Sequence, residues 1–244
     1  MSSGLAGRLT RERHQRFVGR VVERDLFRSA ITVPEPPFNV LYIFGPGGVG
    51  KTTLLREFAH ICEETNNPVC YVDARNLEPS PDSFMSTLCS LMGLDTQDSP
   101  FQTLASRPGC QVILIDTYEA LSSLNTWMNE VFLPQLPEKA LVVLASRNPP
   151  EAGWRADTGW QTLIRPLPLR NLNQEESQEY LARREVPSEQ HRTIMDFTHG
   201  HPLALSLVAD VFVQRPDVSF RPAEMPDVIK TLLEPCSRLC ISGA

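Results

Sequence analysis

Eight consecutive residues, Gly45-Pro46-Gly47-Gly48-Val49-Gly50-Lys51-Thr52, set glycines, a lysine and a hydroxyl at the spacing GxxxxGK[ST]. Glycines let a backbone turn tightly, so that successive N–H groups converge on one anion, and the positive end of a following helix adds to the attraction. Lys51 supplies a point charge able to reach the outer phosphates of a polyphosphate. The Thr52 hydroxyl is a ligand for Mg²⁺, and Thr53 continues the set into the first helical turn. Such a loop needs a strand before it and a helix after it. Val40 to Phe44 is a short apolar run rich in β-branched and aromatic residues, and beyond the loop Leu54, Leu55, Phe58, Ala59 and Cys62 recur at helical spacing.

A phosphate-bound magnesium also needs an acid at the end of a neighbouring strand. Val112-Ile113-Leu114-Ile115-Asp116 offers one, which makes Asp116 the candidate Walker B aspartate and, with Thr52, the candidate metal ligand set. The next residue is Thr117, which cannot serve as a base at neutral pH. Glu119 is the nearest carboxylate that could orient a water, but a favourable charge at a helix N-terminus accounts for it equally well. Leu141-Val142-Val143-Leu144-Ala145-Ser146-Arg147 ends a further apolar run on an arginine, so Arg147 is a candidate γ-phosphate sensor at the edge where ligands collect in open α/β sheets. Asp73, closing the run from Val69, reads as a cap or a ligand.

The elements that must position these groups are separated by prolines, which number 21 and fall in clusters between patterned segments. Helices are predicted around Glu23 to Ala30, from Lys51 to about Glu63, over Pro81 to Leu91 and over Tyr118 to Val131. Strands are predicted at Val40 to Phe44, Val69 to Val72, Gln111 to Ile115, Leu141 to Ala145 and Leu163 to Leu167. Each strand is apolar along its length instead of alternating, the pattern of a parallel sheet covered on both faces. After Leu169 only helical patterns follow: Asn173 to Glu185, Ser188 to His199 and Leu203 to Gln214. The expected fold is α/β, a three-layer P-loop NTPase with a parallel five-stranded sheet over residues 1–168, and then a small all-helical lid over 169–244, hinged near Arg165 to Asn171.

Composition narrows the function classes. Hydrophobic residues make up 41% and charged residues 21% of the 244, which is ordinary for a globular chain. The formal charge of −6 predicts no general attraction to nucleic acid or to an anionic membrane, so no direct nucleic-acid binding is expected. The cysteines Cys62, Cys70, Cys89, Cys110, Cys236 and Cys240 form no CxxC pair and no zinc spacing, and read as free thiols. No stretch approaches the length of apolar residues needed to span a bilayer, and Met1 to Phe17 has no secretory core, so a cytoplasmic location is expected. His199 and His201, two residues apart, do not suggest a metal pair.

Three further motifs carry a family resemblance. Phe17-Val18-Gly19-Arg20 followed by Glu23 resembles the hydrophobic-Gly-Arg-x-x-E motif that opens the STAND class of signal-transduction NTPases, which includes the NB-ARC proteins. Pro166-Leu167-Pro168-Leu169 with Leu172 and Glu175-Glu176 resembles the start of their helical lid, and Gly200-His201-Pro202-Leu203-Ala204-Leu205 resembles their Gly-x-Pro-Leu-Ala motif. The resemblance covers about Phe17 to Val213. It implies ATP or ADP with Mg²⁺ as cofactors, contact of Arg20 with the adenine and ribose side, packing of Pro202 near the nucleotide, slow or absent hydrolysis, and oligomerisation when ATP is bound. The winged-helix element and effector modules of that class are not found after Val213, and Glu234 to Ala244 reads as a polar tail. A protein partner or effector domain outside this chain is therefore expected. The rival expectation is an AAA+-like ATPase acting as a loader or remodeller.

Overall fold

All five apolar runs become strands: β1 (Val40–Phe44), β2 (Val69–Asp73), β3 (Gln111–Asp116), β4 (Ala140–Ser146) and β5 (Ile164–Pro168). They form one parallel sheet in the order β2-β3-β4-β1-β5. The computed structural model describes residues 4–95 and 98–214. Their contacts separate them into two units, one from Val21–Pro46 and Lys51–Leu169, the other from the described residues of Met1–Arg20, Gly47–Gly50 and Arg170–Ala244.

In the sheet unit, β3 and β4 are buried at every position, which is why their sequences carry no polar alternation. Alternate residues serve opposite faces. Val40, Tyr42, Val72, Ile113, Ile115, Val142 and Leu144 join one core with Phe84, Leu88, Phe132 and Trp154. The intervening Leu41, Ile43, Leu114, Leu141 and Val143 are equally buried on the other face. That second face is covered by α3 (Lys51–Glu64), which packs on β2, β3 and β4 and stacks Phe58 on Phe27 of α2 (Val21–Thr32) at 4.0 Å. The helix α4 (Pro81–Met92) starts where Ser80 caps the Ser83 amide and stops at Gly93, whose left-handed φ of 68° ends the helix.

Several elements depart from the expected ones. Instead of one helix after β3, Thr117 takes a left-handed φ of 57° and a 3₁₀ segment runs from Tyr118 to Leu124. Its buried residues Tyr118, Leu121 and Leu124 repeat every three, the period of the tighter helix. A short turn, α6 (Asn125–Trp127), and a π turn at Met128–Phe132 follow, bringing Met128 and Phe132 to the same core. Also unforeseen are α5 (Pro100–Ser106), capped by Ser99, and α7 (Ala152–Ala156) and α8 (Thr158–Leu163), the second capped by Asp157. Each is too short to show a hydrophobic period.

The helical unit holds α1 (Leu5–Gln15), α9 (Gln174–Arg183), α10 (Ser188–Thr198) and α11 (Pro202–Gln214). Leu181, Ile194, Leu205, Val208 and Phe212 make its core. A single cut after residue 168 does not describe these contacts, because the N-terminal stretch is tied into this unit. Arg183 donates to the carbonyls of Gln15 and Phe17, and the Arg20 amide donates to Glu176. At the other end β5 pairs with β1 through Pro168, and the Leu169 amide bonds Phe44, so the expected hinge range overlaps a paired strand and the division falls after Leu169. Cys62, Cys70 and Cys110 are buried and Cys89 half-buried, all as free thiols; burial pushes Cys62 up to about 12 and Cys110 to about 11. Cys236, Cys240 and the tail from Glu234 lie outside the described residues.

The turn from α10 into α11 depends on Gly200, whose φ is +71° and whose missing Cβ would lie 2.1 Å from the Leu172 carbonyl oxygen. Gly200→Ala is expected to destabilise the helical unit by about 1–3 kcal/mol, the scale of a strained backbone position, as read by a urea melt.

Candidate functional site

In the sheet unit the carboxyl ends of β1, β3 and β4 bring the predicted acids and bases to one edge. The Gly45 amide bonds the Ser146 carbonyl at 3.3 Å, so the loop leaves β1 beside the end of β4. Lys51, at the head of α3, donates through Nζ to the carbonyls of Gly45 and Pro46 at 2.6 and 2.9 Å. Burial lowers the Lys51 pKa; Glu119 and Asp116 act to raise it and Arg147 to lower it, which places all three within electrostatic reach of the ammonium. Thr52 donates to Asp116 Oδ1 at 3.2 Å, while the Thr53 side chain is exposed.

Asp116 is 2% exposed. Its oxygens take the Thr52 hydroxyl, the Thr117 amide at 2.9 Å and the Tyr71 hydroxyl at 2.9 Å, all neutral donors. A buried carboxylate held only by neutral donors, with a helix-head threonine on one oxygen, suits a hard divalent cation. Thr52 and Asp116 would hold Mg²⁺ there.

Glu119 and Arg147 are brought together with each other. Arg147 Nε lies 3.2 Å from Glu119 Oε1, and its amide donates to Oε2 at 3.2 Å. This ion pair is a third account of Glu119, beside the remote base and the helix-end charge. Asp73 behaves as a cap, accepting from the amide and guanidinium of Arg75.

Residues Gly47–Gly50 group with the helical unit, and there the two remaining predicted site residues lie near them. Arg20 is 3% exposed, has a left-handed φ of 57°, and donates through Nη2 to the Val49 carbonyl at 3.0 Å. Its amide and that of Asn173 both donate to Glu176, which also pairs with Arg170. Burial acts to raise the Glu176 pKa, but those donors outweigh it and hold the carboxyl at about 2. Pro202 is the first residue of α11. The residue before it was not foreseen as functional. His201 is 1% exposed; its Nε2 lies 3.1 Å from the Gly47 carbonyl and its Nδ1 accepts the Ala204 amide at 3.4 Å. The Leu203 amide donates to the Gly48 carbonyl at 3.3 Å. Gly48 has a φ of +76° and a Cβ there would lie 2.8 Å from His201 and Leu203, so only glycine fits. His201 caps the start of α11 through the Ala204 amide, and imidazole is not among the usual caps, so no local signal marks it.

The parallel order β2-β3-β4-β1-β5, with the glycine loop between β1 and α3 and an acid ending β3, decides the architecture. The fold is that of the P-loop NTPases. Residues 39–144 match the family described as AAA domain. No curated protein matches the chain in sequence. Among solved structures, the replication initiator DnaA bound to AMPPCP and single-stranded DNA is similar with a TM-score of 0.55 at 15% identity, covering 93% of this chain and 68% of that one. The Aeropyrum pernix Orc1 protein in complex with DNA gives 0.56 at 15%, covering 91% and 66%. The FIGL-1 AAA domain in complex with ADP gives 0.53 at 16%, covering 93% and 84%. At these identities the likeness is one of fold.

The expectation of no direct nucleic-acid binding does not stand. DnaA and Orc1, which share this fold, are both seen bound to DNA. The inference failed because net charge sums over the whole chain, whereas phosphate contacts are made locally. Among the described residues no helix is long and apolar enough to cross a membrane.

The His201 ring can serve both partners only when neutral, with its proton on Nε2. Burial lowers its pKa from 6.5, against the opposing effect of the Gly47 bond. A depressed folded pKa means the ring's contribution is fully present above the ordinary value and is lost as the pH falls through the folded one. Wild type should therefore lose up to about 1 kcal/mol relative to His201→Gln between neutral and mildly acid pH, measured by paired urea melts.

Proposed function

We propose that this chain binds ATP or ADP with Mg²⁺ and works as a nucleotide-dependent switch of the STAND type. The observation that carries the reading is the Thr52 hydroxyl on buried Asp116, directly after Lys51 at the head of α3. Backbone amides of Gly45 to Lys51 would cradle the phosphates, and Lys51 would exchange its carbonyl partners for β- and γ-phosphate oxygens. Thr52 and Asp116 would hold Mg²⁺, which would supply positive charge against the phosphate oxygens. The match of residues 39–144 to the AAA domain and the AMPPCP and ADP bound by proteins of like fold support the nucleotide.

Two features favour a switch over rapid turnover. Thr117 stands where a water-orienting glutamate is common in such ATPases, and Glu119 is engaged by Arg147. Arg147 would sense the γ-phosphate by leaving that pair. Arg20 would contact the adenine and ribose side, and Pro202 would pack near the nucleotide. A cytoplasmic setting, a partner protein as effector and assembly in the ATP state complete the reading.

The second reading is an AAA+-type loader or remodeller, favoured by the AAA domain match and by the fold shared with DnaA and Orc1. It differs in rate and in its partner, which would be DNA.

Lys51→Ala should abolish ATP binding in calorimetry while leaving the melting temperature near wild type. Retained affinity would remove the phosphate loop from the mechanism. A positioned acid or base contributes about 10²- to 10⁴-fold, so hydrolysis should fall below about one per minute from the roughly 1–100 per second of well-equipped phosphoryl-transfer enzymes. Turnover of several per second, raised further by DNA, would favour the second reading; slow turnover abolished by Glu119→Gln would make Glu119 a remote base.

A further inference from the structure

The hydroxyl of Tyr71 is the third donor to Asp116, and no motif in the sequence points to it. In β2, Cys70 and Val72 enter the core on one face of the sheet, so Tyr71 and Asp73 project to the face that α3 covers. The parallel register sets Tyr71 opposite Leu114 and Asp73 opposite Asp116. From there the phenol crosses to the neighbouring strand and donates to Asp116 Oδ2 at 2.9 Å. The Thr52 hydroxyl and the Thr117 amide are both on Oδ1. The two oxygens are thus held from opposite sides, one by the helix that follows the glycine loop and one by the edge strand.

We propose that Tyr71 is a positioning residue for magnesium, clamping Asp116 Oδ2 so that the carboxylate keeps Oδ1 turned to Thr52. The inference rests on the nucleotide reading above. A carboxylate rotates easily about its last bond, and the energy of a metal's outer ligands depends on that orientation. An aromatic ring is a stiff strut for the purpose, with two side-chain torsions between backbone and hydroxyl. A phenol is an ordinary hydrogen-bond donor at neutral pH, so the hydroxyl faces Asp116 Oδ2 with its proton. Together the donors on Asp116 take three of the carboxylate's roughly four lone-pair directions. Its part is to hold charge in place.

A tyrosine that merely satisfied its own hydroxyl would give the same distance but a different response to mutation. ATP affinity is measured by calorimetry with Mg²⁺ and again in EDTA, for wild type, Tyr71→Phe, Asp116→Asn and the double variant, with thermal melts of each. The gain in affinity conferred by Mg²⁺ should drop by about 10-fold in Tyr71→Phe, at the lower end of the 10- to 100-fold typical for groups that orient metal ligands. Affinity in EDTA should hold, and the melting temperature should fall by about 2–4 °C, the scale of one lost buried hydrogen bond. In the Asp116→Asn background, Tyr71→Phe should cost nothing further. An unchanged Mg²⁺ gain in Tyr71→Phe overturns the proposal, as does an equal loss with and without the metal or full additivity in the double variant. Wild type that binds ATP no better with Mg²⁺ than without it would overturn the nucleotide reading itself, an outcome visible before any Tyr71 variant is compared.

Discussion

A carboxylate at the end of a strand buried along its whole length has to find its donors inside the protein, since leaving it bare would cost several kcal/mol. Asp116 is in that position, and much of the sheet unit is arranged around it. The head of α3 must come close enough for Thr52 to reach one oxygen. The chain leaving β3 must turn at once, and the left-handed Thr117 points its amide back to the same oxygen. A β-branched residue is held there against its own preference, which is tolerable only because the surrounding structure fixes it. The edge strand must lie in the register that brings Tyr71 to the other oxygen.

How much of this was readable follows from what each feature depends on. The strands were legible because burial on both faces removes polar alternation, and β1 matched at both ends. The loop was legible because its chemistry is local: glycines, lysine and threonine act within eight neighbouring residues. Asp116 followed from the apolar run before it. Tyr71 could not be read, since its role depends on the pairing of β2 with β3, which the sequence of β2 alone does not state. The same holds for the Glu119–Arg147 pair, whose members are 28 residues apart and meet only because β3 and β4 are neighbours. The 3₁₀ segment after Thr117 was misread as a regular helix because a spacing of three serves both kinds.

The helical unit shows a second kind of illegibility. Arg20 was reached only through the family resemblance, and its partners Val49, Arg170 and Glu176 are spread over most of the chain. Glu176 was noticed as one acid of a pair, but its role is set by convergence: it closes the capping box with Asn173, receives the Arg20 amide and pairs with Arg170. One carboxylate so placed orders the start of α9 and the turn at Gly19 and Arg20 together. Gly19 has no room for a side chain against it, since a Cβ would lie 2.6 Å from Glu176.

β5 carries prolines at 166 and 168. The Leu163 carbonyl and the Leu169 amide bond the β1 side, so odd-numbered residues of β5 face β1 and even-numbered ones face outward. Both prolines therefore sit where an N–H would otherwise project from the last strand of the sheet, and neither costs the ladder a bond. An incoming strand finds no donor at either place. This margin of the sheet is thereby closed to edge-to-edge pairing and to the aggregation it can seed.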